Sequence, residues 1–414
     1  MTVRTAFAIR AFRRLWGAGL ISETGDWLLF IALPLVVFDL TGSAVGTAIA
    51  FLLELVPAVV LAPLAAHLVG RFDRRWLMVA LNVGQALALL PLLWVNDVGD
   101  LPIAYAVIVV HASLSAVFEP AKNTLLPELV DTERLVSANA LIGLNQNLGR
   151  LIGGPLGGVL LAVGDLGVIV AVDAITYVVS AALIATLPAV NGSPRGAAAG
   201  RSPEGLLAAL RVSRLRGAYA VIFVSSIAQG MFLVLFVLFA FGPLHGSDAD
   251  VGLLRGIQAV GAIVAGLVLG FLARGSSPRV LATASLFAFG ALSLAIWNLP
   301  AITTDLWPYV VLFAAVGAPG VVMIAGLISV LQEESTAGQR GAVFAAIGLV
   351  GALGQAAGIL LAGFSDGPIG LVPLLEVQGG LYVVAGAIAL LWLPHPATAP
   401  LIAKGAADAA QLRR

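Results

Sequence analysis

The sequence predicts an all-α integral membrane protein with twelve transmembrane helices arranged as two six-helix halves. Three observations lead there. The 414-residue chain is 60% hydrophobic and only 11% charged, against about 25% charged in soluble domains, and its mean hydropathy of +1.03 does not describe a water-soluble globule. About twenty consecutive apolar residues cross about 30 Å of hydrocarbon as a helix, and the sequence contains twelve such windows. One long hydrophilic segment divides them six and six.

In order, the windows run roughly 15–39, 44–69, 76–95, 102–118, 137–163 and 168–188, then 218–241, 251–273, 280–300, 306–331, 341–363 and 373–394. The fourth is short, and the tenth carries Pro319 and several glycines. The run from Leu15 lacks a small-residue cleavage site and contains acids, so it reads as a retained helix rather than a signal peptide. An even count puts both termini on one side, and basic loops identify that side as cytoplasmic.

Twenty of the 22 basic residues fall there. They are Arg4, Arg10, Arg13 and Arg14 at the N-terminus, Arg71, Arg74 and Arg75 in the second loop, and Lys122 and Arg134 in the fourth. Arg195, Arg201, Arg211, Arg214 and Arg216 follow in the middle, then Arg274, Arg279, Arg340, Lys404, Arg413 and Arg414. The odd loops hold Asp97, Asp100, Asp165, Asp248, Asp250, Asp305 and Asp366 but no Lys or Arg. The expected location is the plasma or inner cell membrane, multi-pass, with both termini cytoplasmic.

A net charge of zero thus conceals a sorted distribution and gives no footing for nucleic acid. The absence of cysteine excludes disulfides and thiolate metal sites. There is no phosphate-cradling Gly-Lys-Ser/Thr loop, no His/Glu metal spacing and no nucleophile elbow. The expectation is a non-enzyme with no cofactor or metal, driven by an ion gradient rather than by ATP.

The domain plan is a half over 1–190, a cytoplasmic linker over 191–217, a half over 218–394 and a cytoplasmic tail over 395–414. The linker begins as a Gly/Ser/Pro/Ala stretch, and "PEGLLAALRVSRLR" is patterned as an amphipathic surface helix. Shifting the sequence by 203 residues lays "PLAAHLVGRFDRRWLMV" over "GLVLGFLARGSSPRVLA", matching Leu64 with Leu267 and Arg71 with Arg274.

A parallel repeat of two six-helix halves is the pattern of the major facilitator architecture, with the substrate site near the bilayer midplane between halves. "APLAAHLVGRFDRRWLMV" resembles the helix 2 to 3 signature of that superfamily. "FEPAKNTLLPELVDTERLVSANAL" followed by "NLGRLIGGPLGG" is similar to the helix 4 to 5 region of its bacterial drug and siderophore exporters, which are proton antiporters. The resemblance implies two pseudo-symmetric halves around a central cavity. In one place the chain departs from it: Gly70 replaces the acid that usually opens the helix 2 to 3 loop, while Arg71, Asp73, Arg74 and Arg75 remain. Those charges enforce topology, or, as the resemblance implies, form a gate that pairs with acids across the cytoplasmic gap.

Helix 5 carries Gly149, Gly153 and Gly157 at four-residue spacing, beside Gly154, Pro155 and Gly158. Small residues at this spacing let helix backbones approach closely, and Pro155 bends the helix. The pattern reads as tight packing or, through the resemblance, as the mark of exporters that exchange substrate for protons. Helix 8 has a comparable face in Gly266 and Gly270, and helix 11 in Gly351, Gly354 and Gly358.

Charges near the bilayer centre are costly and point to function. At 1.5 Å per residue, Glu23 lies about 12 Å and Asp26 about 16 Å into helix 1, Glu54 about 15 Å into helix 2 and Arg150 about 20 Å into helix 5. Glu23 and Asp26, three apart, share one helical face. Arg150 stays charged and requires a carboxylate, and the acids outnumber it. A carboxyl left over in a low-dielectric cavity favours its protonated form, as a proton-coupled exporter needs, and releases the proton when a substrate, especially a cationic one, arrives.

The expected pairing is Asp26 with Arg150, leaving Glu23 as the protonatable substrate-site acid. In the resembled fold helix 1 lines the cavity and helix 2 lies between the halves, so Glu54 is assigned to gating or coupling. The alternative is that all three acids are satisfied structurally by Arg150, hydroxyls and cavity water. His111 is either a titrating group or a packing residue. Asn145, Gln146, Asn147 and Gln229 are candidate substrate hydrogen-bond partners, and Trp27, Phe30, Phe232 and Phe236 form either a cavity wall or a lipid face. Asp173 and Arg255 are expected nearer the outer surface, paired or hydrated.

The leading function is a proton-coupled, multidrug-type exporter of small amphipathic molecules working by alternating access, with protons, substrate and the lipid bilayer as partners and a monomer as the unit. The alternatives are a dedicated exporter of one metabolite, such as a siderophore, an antibiotic or a lysolipid, and a membrane sensor or scaffold that retains the fold.

Overall fold

The computed structural model describes residues 3–188, 203–272, 277–336 and 339–394. Arg195, Arg201, Arg274, Lys404, Arg413, Arg414, residues 191–202 of the linker and the tail lie outside the described residues. In chain order the helices are α1 (Arg10–Thr41), α2 (Ala44–Val60), α3 (Ala62–Arg71), α4 (Arg74–Leu89), α5 (Leu101–Leu129), α6 (Leu135–Val163) and α7 (Leu166–Ala185). A short α8 (Pro203–Leu210) precedes α9 (Arg216–Phe241), α10 (Asp248–Leu272), α11 (Pro278–Asn298), α12 (Leu306–Glu334), α13 (Arg340–Ala362) and α14 (Leu371–Trp392).

Ten helical segments are long and apolar enough to cross a membrane, and α2 with α3 makes an eleventh, bent by 52°. The bend has a chemical cause. Pro63, at the start of α3, has no N–H to give the preceding turn, and α2 closes on Leu61 instead. The twelfth crossing is α6, whose 29 residues reach about 43 Å. Its mid-helix Asn145, Gln146, Asn147 and Arg150 lower its hydropathy relative to its neighbours.

Twelve crossings put residues 3 and 394 on one face, here the terminal face, opposite the far face. The packing repeats between the halves. α1 packs on α6 and α7 while α9 packs on α13 and α14; α2 packs on α5 while α10 packs on α12; α4 packs on α5 and α7 while α11 packs on α12 and α14. Helix α8 docks on α13 in the second half, where the Tyr219 hydroxyl donates to the Ala209 carbonyl at 3.3 Å.

The halves meet through α6 with α10 and α2 with α13, and they meet near the far face. There Ile31, Leu35 and Phe51 of the first half share one buried core with Val234, Leu238, Val251 and Leu254 of the second. Phe38 stacks on Phe241 at 5.7 Å, and the Asp366 carboxylate accepts from the Ala44 backbone N–H at 2.8 Å, capping α2 from the other half. Toward the terminal face the interface opens: a side chain added at Gly143 of α6 or Gly266 of α10 would meet nothing within 4 Å.

The fourth window is corrected here. Helix α5 continues past 118 through Pro120 and Pro127, because Leu125, Leu126 and Leu129 bury in the core of the first half and offset the backbone bonds that the prolines forgo. Lys122 is therefore not a loop cation but a buried residue of a membrane helix, 4% exposed.

Candidate functional site

Gly25 sets the geometry of the first half's core. A Cβ there would collide with the Asp173 carboxylate and the Thr176 hydroxyl of α7, so the missing side chain is what lets α1 lie against α7. That approach brings Asp26 onto Tyr177, whose hydroxyl donates to Asp26 Oδ1. His111 Nε2 of α5 lies 2.5 Å from the same hydroxyl and 3.9 Å from Asp26 Oδ1. Asp26, Tyr177 and His111 thus form one hydrogen-bonded chain across α1, α7 and α5. Asp173, expected near the outer surface, is fully buried behind Gly25 and accepts from the Thr176 hydroxyl at 3.1 Å.

One turn toward the terminal face, Lys122 lies 3.4 Å from Glu23 Oε1 and 2.5 Å from Glu119 Oε1. The expected Asp26–Arg150 pair is absent. Arg150 instead donates from Nε to the Arg255 carbonyl at 2.9 Å and holds its guanidinium carbon 5.2 Å from the Trp27 ring centre. The reason is rotational. Gly149 and Gly153 press α6 against Glu23, Thr24 and Trp27, which turns Arg150 toward α10 and away from Asp26.

Arg255 is also relocated. It is 5% exposed and surrounded by Trp27 and Phe30 of α1 and Phe232 and Phe236 of α9, at 5.9, 5.4, 5.0 and 5.7 Å from their ring centres. Charge interactions reach it from Glu54 and Arg150. The four aromatics of the sequence reading therefore gather around a cation between the halves.

Two lobes of a central cavity lie beneath this layer. The first, about 490 Å³, is acidic, with Glu23, Asp26, Glu54 and Glu119 beside His111 and Gln85 in a lining that also holds Trp27, Phe30 and Phe118. The second, about 570 Å³, is lined by Phe232, Phe289, Trp297, Phe313 and Tyr382 with Arg150, Gln229 and Gln258. Gln146 lines both, so the lobes adjoin. Gln229 accepts from the Tyr382 hydroxyl at 3.2 Å, and Asn147 lines the second lobe. Asn145 is a packing residue: it is buried, and its Nδ2 donates to the Trp16 carbonyl at 2.9 Å.

The helix-5 glycines divide between two tasks. Gly149, Gly153 and Gly157 receive α1 within the first half, while Gly154, Pro155 and Gly158 meet Gly252, Gly256 and Asp248 of α10 across the interface. On α10 the contacting glycines are thus Gly252 and Gly256, whereas Gly266 touches nothing. Gly354 and Gly358 of α13 pack on α9 within their own half.

In the helix 2 to 3 loop, Asp73 accepts from the Trp76 N–H at 3.0 Å and caps α4. Arg74 pairs with Glu128, Arg75 donates to the Leu187 carbonyl, and Arg71 is exposed. The pairs formed by this cluster in this conformation stay within the first half.

With the fourth window ending at 118, Lys122 fell in a loop and Glu119 outside any helix, so neither was weighed as a site residue. The continuing apolar period of Leu125, Leu126 and Leu129 was the available signal. No sequence signal marked Tyr177 as the partner of Asp26, since that contact depends on the α1–α7 approach.

The sequence profile of the Major Facilitator Superfamily matches residues 15–359. A Bacillus subtilis protein named uncharacterized MFS-type transporter YfiS is 30% identical over 169 residues, 41% of this chain and 40% of its own length; the match thus spans under half of that relative. Macrolide efflux protein A of Streptococcus pyogenes is 25% identical over 382 residues, 90% of this chain and 93% of its own. Among solved structures, a bacterial homologue of the iron transporter ferroportin in an inward-facing state superposes with a TM-score of 0.74 at 15% identity, covering 93% of this chain and 99% of that one. The nucleoside transporter NupG does so at 0.70 and 15%, covering 94% and 100%.

Proposed function

The chain belongs to the major facilitator superfamily, and from that premise we propose that it exports small amphipathic molecules in exchange for protons by alternating access. With the basic terminal face in the cytoplasm, the conformation described here faces inward: the halves are sealed at the far face and the cavity opens toward the termini. The efflux proteins among its relatives support the outward direction.

The observation that carries the reading is the difference between the two helix-1 acids. Glu23 is held by a buried ammonium, whereas Asp26 bonds to a phenol and lies beside an imidazole. With no lysine or arginine at hydrogen-bonding distance among the described residues, the Asp26 carboxyl can take and release a proton through the Tyr177–His111 chain. A cationic group arriving in the acidic lobe favours the ionised form by direct attraction and expels that proton. The proton role thus passes from Glu23 to Asp26, with Glu23 and Lys122 a fixed pair. The aromatic lobe offers apolar surface for the rest of the substrate.

The test uses inverted vesicles holding an imposed pH gradient, with a lumenal pH dye. Cationic, zwitterionic, neutral and anionic amphiphiles are added in turn. Proton efflux evoked by at least one class, and absent from vesicles without the protein, is the expected result; silence across the panel contradicts exchange.

A further inference from the structure

Three cations, Lys122, Arg150 and Arg255, line or adjoin the cavity, and among the described residues only Lys122 has a carboxylate at pairing distance. Lys122 lies between two carboxylates. Arg150 forms no ion pair among the described residues, although it lines the aromatic lobe. Its two contacts are the Nε–H on the Arg255 carbonyl and the guanidinium carbon 5.2 Å from the Trp27 ring centre. The terminal nitrogens, the fork that binds carboxylate or phosphate in two parallel bonds, form no hydrogen bond among the described residues. Arg255 stands behind it, boxed by four rings, and adds positive potential without a carboxylate at pairing distance among the described residues.

A purely cationic guest would fit the acidic lobe but meet Arg150 as a like charge. A purely anionic one would fit Arg150 but face Glu23, Asp26, Glu54 and Glu119 in the other lobe, of which Lys122 pairs with only Glu23 and Glu119 among the described residues. The lobes adjoin at Gln146, one helical turn before Arg150, so one guest can reach both. Resting on the transport reading above, we propose that the substrate is a zwitterionic amphiphile. Its oxyanion sits on the Arg150 fork, its cationic nitrogen lies in the acidic lobe beside Asp26, and its apolar body packs against Phe289, Trp297 and Phe313. Trp27, adjacent to Asp26 in the chain and with its ring centre 5.2 Å from the Arg150 guanidinium carbon, fixes the spacing between the two charge sites.

The test is equilibrium binding to the full chain in phosphatidylglycerol nanodiscs, with no gradient, using four octyl-chain probes: octylphosphocholine, octyltrimethylammonium, octyl phosphate and octyl glucoside. The zwitterion is expected to bind at least about tenfold more tightly than each of the others, the size of one charge-assisted hydrogen bond. Arg150→Gln is expected to bring the zwitterion and the cation within about twofold of each other, and Arg150→Lys, which keeps the charge but loses the fork, to fall between. Equal or tighter binding of any single-charge or neutral probe by the unaltered protein overturns the proposal, as does a preference that survives Arg150→Gln. If Arg150→Gln does not fold, the ranking by the unaltered protein decides alone. Because no proton movement enters the measurement, a protein that fails to exchange protons can still pass it, and one that exchanges them can still fail.

Discussion

The Lys122 ammonium stands 3.4 Å from Glu23 and 2.5 Å from Glu119, so one cation of α5 holds together an acid of α1 and an acid of its own helix. Removing it leaves two carboxylates facing each other. Breaking a fully buried pair from one side costs about 3–5 kcal/mol, and the Glu119 side chain, 45% exposed, is partly screened. Lys122→Met is therefore expected to destabilise the protein by about 1–3 kcal/mol, with Lys122→Met/Glu23→Gln recovering part of the loss. Thermal denaturation of the purified protein checks this, and an unchanged melting temperature in the single variant would count against the bridge.

Gly25 is occupied by its neighbour's side chain. Since a Cβ there meets Asp173 and Thr176 of α7, Gly25→Ala is expected to cost about 1–3 kcal/mol through overpacking and to separate Asp26 from Tyr177. The paired change Gly25→Ala/Thr176→Ala relieves half of the collision and is expected to restore part of the stability. Melting temperatures of the two variants measure the difference.

The far-face seal depends on backbone contact at Gly158, where a Cβ would strike the Asp248 carbonyl, and on Asp366 capping α2. Gly158→Val and Asp366→Ala are each expected to shift the population toward a far-open state. The chain has no cysteine, so spin labels placed by Gly164→Cys and Ser247→Cys report the far-face distance without background. The account expects that distance to lengthen in both variants and to remain short in Gly266→Val, where there is space for the side chain.

These relationships mark where the sequence was legible. Composition, window length and charge sorting depend on solvent and bilayer alone, and from them the twelve crossings and the two halves could be read. What they could not give was helix rotation. Whether Arg150 faces Asp26 or α10 is decided by which glycines of α6 receive α1, and that is a property of two helices together. The window ending at 118 was too short, because burial of three leucines beyond Pro120 outweighs the backbone bond that the proline forgoes. Helix rotation likewise places Arg255 of α10 among rings of α1 and α9 and Asp173 of α7 behind Gly25 of α1, contacts between elements distant in sequence.

His111 and Tyr177 extend the Asp26 site, so their removal grades the coupling. Tyr177→Phe deletes the hydroxyl that joins Asp26 to His111, and a positioned proton-transfer group is worth about 10²–10⁴-fold in rate. Substrate-evoked proton release is expected to slow by at least about tenfold in Tyr177→Phe, while equilibrium substrate binding stays within about twofold. Stopped-flow recording of a pH dye in proteoliposomes separates the two.

The most direct measurement compares Asp26→Asn with Glu23→Gln in inverted vesicles carrying a pH gradient, at matched expression. The account predicts that substrate evokes no proton movement through Asp26→Asn, whereas Glu23→Gln still moves protons, more slowly. Proton movement at the unaltered rate through Asp26→Asn, or its complete loss in Glu23→Gln alone, would contradict it.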